Sequence, residues 1–281
     1  MADADWMTTA AAKAADHEPV DLKTDVPHPA RVYDWLLGGK NNFAADRTAG
    51  EAGKLANPAS DVAPGANRDW LRRVVGYLAG ELGIRQFLDI GTGLPTSPNV
   101  HEVAQAIAPD SRIVYTDNDP IVLTHARALL TGSPAGATAY LDADFRDPDR
   151  ILESAAATLD FTKPMALLLV AITHFVGDAD EPHRIVRQLL DALPSGSYLA
   201  LSHLTGEFMP EQFKKVEAIF AERGVTMQVR PRAEIARFFD GLELVEPGLT
   251  LVHRWRPDDQ DRFADRPDEL VSVYAALARK P

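Results

Sequence analysis

The chain has 281 residues, 46% of them hydrophobic, and carries a formal net charge of −12 at pH 7. Such an acidic surface repels phosphate backbones and argues against a general nucleic-acid-binding protein. The sequence contains no cysteine, which excludes disulfides, thiolate nucleophiles and zinc sites built from cysteine.

The N-terminus and the apolar runs predict a soluble cytoplasmic protein. The first residues are acidic, and no basic segment followed by an apolar one marks a secretory signal. The longest apolar run, MALLLVAI from Met165 to Ile172, is far shorter than the roughly 20 residues that span a bilayer. It has the length of a buried strand, and we expect no membrane partner.

Residues 1–28 show no steady periodicity and are predicted to form a flexible arm ahead of a single folded domain, residues 29–281. Within that domain, residues 29–82 are predicted to form a helical cap. One short helix starts at Ala30 and is stopped by Gly38 and Gly39, and a second helix starts at Asn67.

Strands and helices alternate from residue 83 onward. The predicted strands are 85–91, 112–117, 138–144, 165–175, 197–204, 241–252 and 270–280. The helices between them begin with caps, such as Asn99 with Glu102 and Asp119 with Pro120. Short links between alternating elements are typical of parallel βαβ units. The sequence therefore predicts an α/β fold with a mostly parallel seven-stranded sheet and helices on both faces.

Glycines and acids follow the first two strands, and ligands of such sheets bind beyond the carboxyl ends of the strands. Gly91 and Gly93 flank Thr92 and permit a tight turn that a ligand approaches closely. Thr96 stands where a dinucleotide fingerprint has its third glycine, which disfavours a nicotinamide cofactor. Asp117 ends the second strand, where a carboxylate accepts ribose hydroxyls.

The third strand ends in Asp144 and Phe145. An acid and an aromatic ring at this edge suit the amino group and the face of an adenine, with a solvated loop acid as the alternative. The pattern therefore predicts an adenosine ligand that carries no pyrophosphate.

The motif LDIGTG, together with Asp117 and Asp144, resembles the class I S-adenosylmethionine-dependent methyltransferases. A narrower resemblance rests on the segments RVYDWLLGGKNNFAAD, FLDIGTGLPTSPNVHEVA, VYTDNDPIVLTHARALL, ALLLVAITHF and EIARFFDGLELVEPGL. As a set they are similar to an S-adenosyl methyltransferase family once classified as a domain of unknown function, over about residues 28–280. The resemblance implies a Rossmann-like class I fold and S-adenosylmethionine as the cofactor, and it implies no substrate.

The same resemblance implies roles for single residues. Asp89, Gly91 and Gly93 would cradle the amino-acid end of the cofactor, Asp117 would hold the ribose, and Asp144 would border the adenine. Their neighbours complete the implied cofactor site: Thr92, Asn118, Phe145 and Ala171.

The sequence GGK at Gly38 and Gly39 suggests a phosphate-binding loop, but Asn41 follows the lysine where that loop requires Ser or Thr. Two interpretations stay open. A glycine-hinged lid over the sheet edge would turn Tyr33, Asn41 and Asn42 toward the cofactor or the substrate. Alternatively, the segment is a helix C-cap followed by a turn.

His174 and His203 are predicted to end the fourth and fifth strands, which are neighbours in sheets of this class. Either one is a candidate general base for the methyl acceptor. With Glu207 the pair has the composition of a metal site, although we expect no metal. Structural hydrogen bonding is the alternative for both histidines.

These observations predict an S-adenosylmethionine-dependent methyltransferase that acts on a small-molecule acceptor through O- or N-methylation. Methyl transfer depends mainly on alignment in a dry pocket, which is consistent with the lack of a recognisable catalytic triad. The alternatives are a non-catalytic sensor of S-adenosylmethionine or S-adenosylhomocysteine, a nicotinamide-dependent dehydrogenase, and an interaction protein with a vestigial nucleotide site. The sequence predicts neither the acceptor nor the oligomeric state.

Overall fold

The computed structural model describes residues 22–129 and 132–281. The first 21 residues of the predicted N-terminal arm lie outside the described part of the chain. Within that part, three α-helices precede the sheet: α1 (Pro29–Leu36), α2 (Ala44–Ala56) and α3 (Ala63–Gly80). They lie within residues 29–82, the segment predicted as a helical cap, and we keep that name for these three helices.

Helix α2 was not predicted from the sequence. It contains Gly50 and Gly53, and glycine lowers helix propensity by about 1 kcal/mol per residue. Gly50 lies so close to the ring of Trp35 in α1 that a Cβ atom there would overlap it. Tertiary packing of the two helices therefore outweighs the weak local preference. Helix α3 also begins earlier than Asn67, with Pro64 in its first turn.

Eight strands of the described residues form one mixed sheet: β1 (Gln86–Ile90), β2 (Arg112–Asp117), β3 (Ala137–Asp142), β4 (Ala166–Val170), β5 (Tyr198–Leu204), β6 (Glu243–Leu244), β7 (Thr250–Leu251) and β8 (Val273–Arg279). The strand order is β3-β2-β1-β4-β5-β8-β6, and β7 also pairs with β8. Strands β1 to β5 are parallel, and β8 is antiparallel to β5, β6 and β7. The predicted α/β fold is confirmed.

The sheet has one strand more than the seven predicted. The segment 241–252 forms two short strands because Pro247 lacks an N–H for the ladder and Gly248, with φ at 82°, turns the chain. The fourth strand ends earlier than predicted. It stops at Val170, and Ala171, with φ at 57°, leads into a short 3-10 turn that carries His174.

The remaining helices are α4 (Val100–Ile107), α5 (Pro120–Leu129), α6 (Pro148–Ala155), α7 (Pro182–Asp191), α8 (Pro210–Ala221), α9 (Arg232–Ala236) and α10 (Asp268–Val271). The predicted cap of α4 is present, because the backbone N–H of Asn99 donates to Glu102 at 2.7 Å. Helices α5 to α8 all begin with proline, which is pre-organised for a first helical turn. No helix within the described ranges is both long and apolar enough to cross a membrane.

The two faces of the sheet bury separate hydrophobic cores. On β1, Phe87 belongs to the core that contains Trp70 and Trp255, whereas Leu88 belongs to the core that contains Ile185. All five residues of β1 are buried, as expected of a central parallel strand covered on both faces. The strand order reverses between β1 and β4, and the carboxyl edge at that point is where open α/β sheets bind ligands.

Candidate active site

A cavity of about 350 Å³ lies at the carboxyl edge of the sheet, between the ends of the central strands and the N-terminal helices. We call it the larger cavity. All of the residues that the sequence predicted for cofactor binding line it, and so does Tyr33. These residues are Asp89, Gly91, Thr92, Gly93, Asp117, Asn118, Asp144, Phe145 and Ala171. The structure thus brings together residues spread over more than 80 positions of the sequence.

The turn after β1 depends on glycine for two different reasons. Gly91 has φ at 73° and Gly93 has φ at 68°, a conformation that costs other residues about 1–2 kcal/mol. A Cβ atom at Gly91 would overlap the side chain of Ile172, so this glycine permits close packing. A Cβ atom at Gly93 would meet no atom within 4 Å. The backbone at Gly93 is therefore open to a ligand.

Asp89 is the penultimate residue of β1, next to this turn, and its carboxylate is buried. One of its oxygens accepts a hydrogen bond from the Thr92 hydroxyl at 2.9 Å. Burial raises the pKa of Asp89 to about 6, and among the described residues no Lys or Arg lies within 4.0 Å of it. A buried carboxylate without a basic partner is suited to an ammonium group brought by a ligand.

Asp117 ties the ends of β1 and β2 together. Its Oδ2 accepts from the N–H of Gly93 at 2.8 Å, and its Oδ1 accepts from the N–H of Asp119 at 3.0 Å. Each carboxylate oxygen has a second lone pair, so two ligand hydroxyls still find acceptors here. Burial raises the pKa of Asp117. Asp119 caps α5 as the sequence predicted, accepting from the N–H of Ile121 at 2.9 Å.

Asp144 is held by neighbours at the outer end of the cavity. It accepts from the Asn118 amide at 2.7 Å and from the backbone N–H of Arg146 at 2.8 Å. Burial alone would raise its pKa, but these hydrogen bonds and the Arg146 charge lower the pKa of Asp144 overall. Phe145 is buried beside it. This end of the cavity therefore combines an ionised carboxylate with an aromatic side chain.

Part of the predicted flexible arm closes one side of the larger cavity. Val26, Pro27 and His28 line it, and sequence reasoning did not identify them. The Arg31 guanidinium donates to the carbonyl of Val26 at 2.9 Å and lies 3.2 Å from Asp119. The signal in the sequence was slight, since His28 precedes a proline-started helix and forms its N-cap.

A smaller cavity of about 80 Å³ adjoins the larger one. It lies among α1, α2, α3 and α8, and its wall is mostly aliphatic and aromatic, including Val32, Leu36, Leu204, Val216, Phe220 and Met227. Five residues line both cavities: Pro29, Tyr33, Asn67, Ala171 and Phe175. The two spaces therefore meet at a common wall between the helical cap and the turn after β4.

A chain of hydrogen bonds runs through this common wall. The N–H of Ala171 donates to Ser202 Oγ at 3.0 Å, and the Ser202 hydroxyl donates to Asn67 Oδ1 at 2.7 Å. The Asn67 amide donates to the Tyr33 hydroxyl at 3.0 Å, which donates to the carbonyl of Pro64 at 2.9 Å. Sequence reasoning recognised Asn67 only as a helix start and missed Ser202.

The two candidate bases lie together but differ in their surroundings. The ring centroids of His174 and His203 are 5.4 Å apart, and both residues are buried. His203 lines neither cavity, and its ring nitrogens contact the carbonyl of Leu204 at 2.7 Å and the guanidinium of Arg230 at 3.0 Å. His174 lines the smaller cavity.

Both histidines stay neutral in this environment. Burial and then the Arg230 charge lower the pKa of His174 to about 3. Burial, reinforced by His174, lowers the pKa of His203 well below its ordinary value. A general base works best with a pKa near the operating pH, so this geometry favours hydrogen bonding over proton transfer. Among the described residues, no cluster of three or more His, Asp or Glu side chains is arranged to hold a metal.

The glycine-rich segment after α1 does not border either cavity. Gly38, Gly39, Asn41 and Asn42 are absent from both linings. Instead, Asp34 accepts from the backbone N–H of Asn41 at 2.9 Å and from the Asn42 amide at 2.8 Å. This arrangement matches the helix cap and turn, the alternative to the lid, and Tyr33 is the member of the predicted lid set that reaches the cavities.

These features define a class of protein. A glycine turn after β1, carboxylates at the ends of β2 and β3, and a sheet of this order form the ligand site of a Rossmann-like α/β protein. The chain belongs to the S-adenosyl methyltransferase family, whose model matches residues 15–281. The resemblance, the fold and the cofactor predicted from the sequence are confirmed by this match.

Two crystal structures are similar to this chain. A DUF574 family protein from Streptomyces avermitilis MA-4680 is 52% identical, with a TM-score of 0.90, and the match covers 93% of this chain and 100% of the other. A protein named as a candidate methyltransferase, from Thermobifida fusca YX, is 41% identical, with a TM-score of 0.84 and coverage of 94% and 99%. No curated protein matches the sequence significantly.

Proposed function

We propose that this methyltransferase acts on a small-molecule acceptor through O- or N-methylation. The observation that carries the proposal is the pair of cavities that meet at Tyr33, Asn67 and Ala171. A methyltransferase needs a site for the cofactor and a second site for the acceptor that opens onto it. The smaller cavity has the position and the size of such a second site for part of a small molecule.

The residues of the larger cavity fit S-adenosylmethionine. The Asp89 carboxylate lacks a basic partner within 4.0 Å among the described residues and suits the cofactor's ammonium group. Asp117 retains free lone pairs for the two ribose hydroxyls. Asp144 and Phe145 suit the adenine amino group and ring face. When bound, the cofactor supplies an electrophilic methyl group on a positively charged sulfur.

The chain's own residues would contribute mainly by alignment and by exclusion of water. Holding two reactants in line accounts for a large part of the rate of such a transfer. The hydrogen-bonded chain through Asn67 fixes the helical cap against the end of the sheet, and Phe175 adds an apolar surface to the common wall. A neutral acceptor nitrogen attacks through its free lone pair, so it does not need His174 to take a proton first, and the methylated product then releases its proton to water.

Charge and cavity shape support a small molecule over a nucleic acid. The chain carries a formal net charge of −12, which opposes a phosphate backbone. The smaller cavity lies beneath the helical cap and is lined by three of its helices. We expect no nucleic-acid or membrane partner and a location in the cytoplasm.

Calorimetric titration with S-adenosylmethionine, S-adenosylhomocysteine and NAD tests the cofactor site. We expect the first two to bind and NAD to fail. Asp117→Ala should weaken binding by about 1–3 kcal/mol, because the ribose hydroxyls lose their acceptors. Asp142→Ala is a matched control, since Asp142 ends β3 directly opposite Asp117 in the sheet but is exposed and lines neither cavity.

Turnover is then measured with radiolabelled S-adenosylmethionine and a panel of small alcohols, phenols, amines and amides. Label transfer to a member of the panel supports the proposed function. Tight cofactor binding with no transfer to any of them would favour the sensor, and binding of NAD in place of the adenosyl ligands would favour a dehydrogenase.

A further inference from the structure

We infer that the smaller cavity receives an uncharged, aliphatic part of the methyl acceptor and that His174 donates a hydrogen bond to a polar atom of that acceptor. This inference rests on the proposed function and adds the chemical class of the acceptor. It predicts a neutral molecule in which a small branched or short aliphatic group lies next to an oxygen atom or an amide group that accepts a hydrogen bond.

The first line of support is the contrast in charge between the two cavities. The larger cavity is lined by Asp89, Asp117, Asp144, Arg68 and Arg146 among others. The smaller cavity has no Asp, Glu, Lys or Arg among the residues that line it. An ionised carboxylate or ammonium placed there would lose its hydration without gaining a partner of opposite charge. The smaller cavity therefore selects against charged acceptor groups.

The second line of support is the state of the His174 ring. Its Nδ1 faces the backbone N–H of Leu204 at 3.5 Å, so a lone pair and not a proton is favoured on Nδ1. Burial and the nearby Arg230 keep the imidazole neutral, which leaves the proton on Nε2. No described residue makes a hydrogen bond to this Nε2. His174 lines the smaller cavity, so an Nε2–H without a protein partner is free to donate to a ligand acceptor atom or to water.

The third line of support is size. The smaller cavity has a volume of about 80 Å³, whereas an engineered apolar cavity that holds benzene measures about 150 Å³. A small aliphatic group therefore fits, and a complete aromatic ring does not. Gly53 in α2 creates part of this space, because a Cβ atom there would make only an ordinary contact with Phe220, at 3.6 Å.

Gly53 also offers a test that preserves the fold. Gly53→Leu fills the smaller cavity from a helix position, and replacing glycine inside a helix favours helix formation. Gly80→Leu is the matched control, since Gly80 is the last residue of α3, is exposed, and lines neither cavity. His174→Leu removes the proposed donor, and His174→Gln retains a donor at this position.

The probes are isovaleramide and isovalerate, which share one branched shape and differ in charge. Their binding to protein saturated with S-adenosylhomocysteine is measured by ligand-observed NMR. We expect the amide to bind at least tenfold more tightly than the carboxylate. We also expect Gly53→Leu to weaken amide binding at least tenfold and His174→Leu to weaken it several-fold, with His174→Gln and Gly80→Leu close to wild type.

Affinity for S-adenosylhomocysteine, measured on every variant, separates the possible failures. If the wild type does not bind this ligand, the proposed function fails. If it binds the ligand but neither probe, or binds both probes equally well, the inference is overturned while the cofactor site stands. The inference is also overturned if Gly53→Leu retains S-adenosylhomocysteine affinity within twofold and binds the amide as tightly as the wild type.

Discussion

The hydroxyl of Ser202 on β5 donates a hydrogen bond of 2.7 Å to the side-chain oxygen of Asn67 on α3. The two residues are 135 positions apart in the chain, and both are buried. Their bond joins the helical cap to the sheet where the larger and the smaller cavity meet. A change at either residue is therefore expected to affect stability and ligand geometry together.

Asn67→Ala tests this coupling. The substitution leaves the buried Ser202 hydroxyl and the half-buried Tyr33 hydroxyl without one partner each. An unsatisfied buried group costs about 1–3 kcal/mol. We expect the free energy of unfolding, measured with urea, to fall by about 2–4 kcal/mol. We also expect weaker binding of S-adenosylhomocysteine by the folded variant, because Asn67 lines its cavity.

Asn57→Ala is the control for this prediction. Asn57 is equally buried, but its side chain only accepts from the N–H of Ala59, at 2.9 Å, and lines neither cavity. It should cost about 1 kcal/mol as a lost helix cap and leave ligand affinity unchanged. Equal affinity in the two variants would contradict the role assigned to Asn67.

The raised pKa of Asp89 predicts a pH-dependent affinity for the cofactor. Below pH 6 the carboxyl group becomes protonated, and it then no longer pairs with the ligand's ammonium group. Calorimetry with S-adenosylhomocysteine should show the dissociation constant rising toward tenfold per pH unit as pH falls from 6 to 5. Asp89→Asn should bind weakly and flatten this dependence.

Asp144→Asn provides the control, because hydrogen bonds and Arg146 lower the pKa of Asp144 and keep it ionised over this range. It should weaken binding without changing the pH slope. In the ligand-free protein the burial of Asp89 costs stability above its folded pKa, so Asp89→Asn should raise the free energy of unfolding at pH 7 by about 1–3 kcal/mol. A destabilised Asp89→Asn variant would argue against an unpaired carboxylate.

The buried histidine pair predicts loss of stability in acid. The folded protein keeps His174 neutral down to a pKa of about 3, whereas an unfolded histidine takes up a proton near pH 6.5. The stability contribution is therefore present above about pH 6.5 and is lost as pH falls toward the folded pKa. Each histidine accounts for up to about 1.4 kcal/mol per pH unit.

Urea unfolding of the wild type and of His174→Gln, between pH 6 and pH 4.5, measures this difference. The variant should lose stability less steeply by about 1.4 kcal/mol per pH unit. NMR of the ring protons should show no titration of His174 or His203 in the folded protein in this range. A ring that titrates near pH 6.5 to 7 would restore that histidine as a candidate general base.

The two glycines after α1 should differ in their response to substitution. Gly38→Ala meets no atom within 4 Å and costs only the left-handed conformation, at φ 81°, or about 1–2 kcal/mol. Gly39→Ala places a methyl group on the Asp34 carboxylate and displaces the hydrogen bonds to Asn41 and Asn42. We expect it to cost about 2–4 kcal/mol in urea unfolding.

Neither variant should change the affinity of the folded protein for S-adenosylhomocysteine by more than about twofold, since both glycines lie outside the cavities. A large loss of affinity in Gly38→Ala, without a matching loss of stability, would instead support a moving lid.

Local patterns in the sequence carried the prediction of the cofactor site. Asp89 and Asp117 lie at the carboxyl ends of their strands, and Asp144 follows the third strand. Parallel strands bring their carboxyl ends to one edge of the sheet. Helix α2 was not predicted because it is stabilised by the packing of Gly50 against Trp35. Local helix propensity does not include such a tertiary contact.

The succession of strands and helices along the chain and the carboxylates at the strand ends were thus determined by the sequence itself, because each depends on residues that are neighbours in the chain. The cofactor followed from the resemblance of the sequence motifs to a family, and the order of the strands in the sheet was decided by the pairing of distant segments. The tertiary structure alone decided the smaller cavity and the neutral state of the histidines. It also placed the backbone N–H of Asn41 and the amide of Asn42 in hydrogen bonds with Asp34. These features arise from contacts such as Asn67 with Ser202 and His203 with Arg230. The physical reason is that burial and hydrogen-bond partners depend on which distant segments pack together.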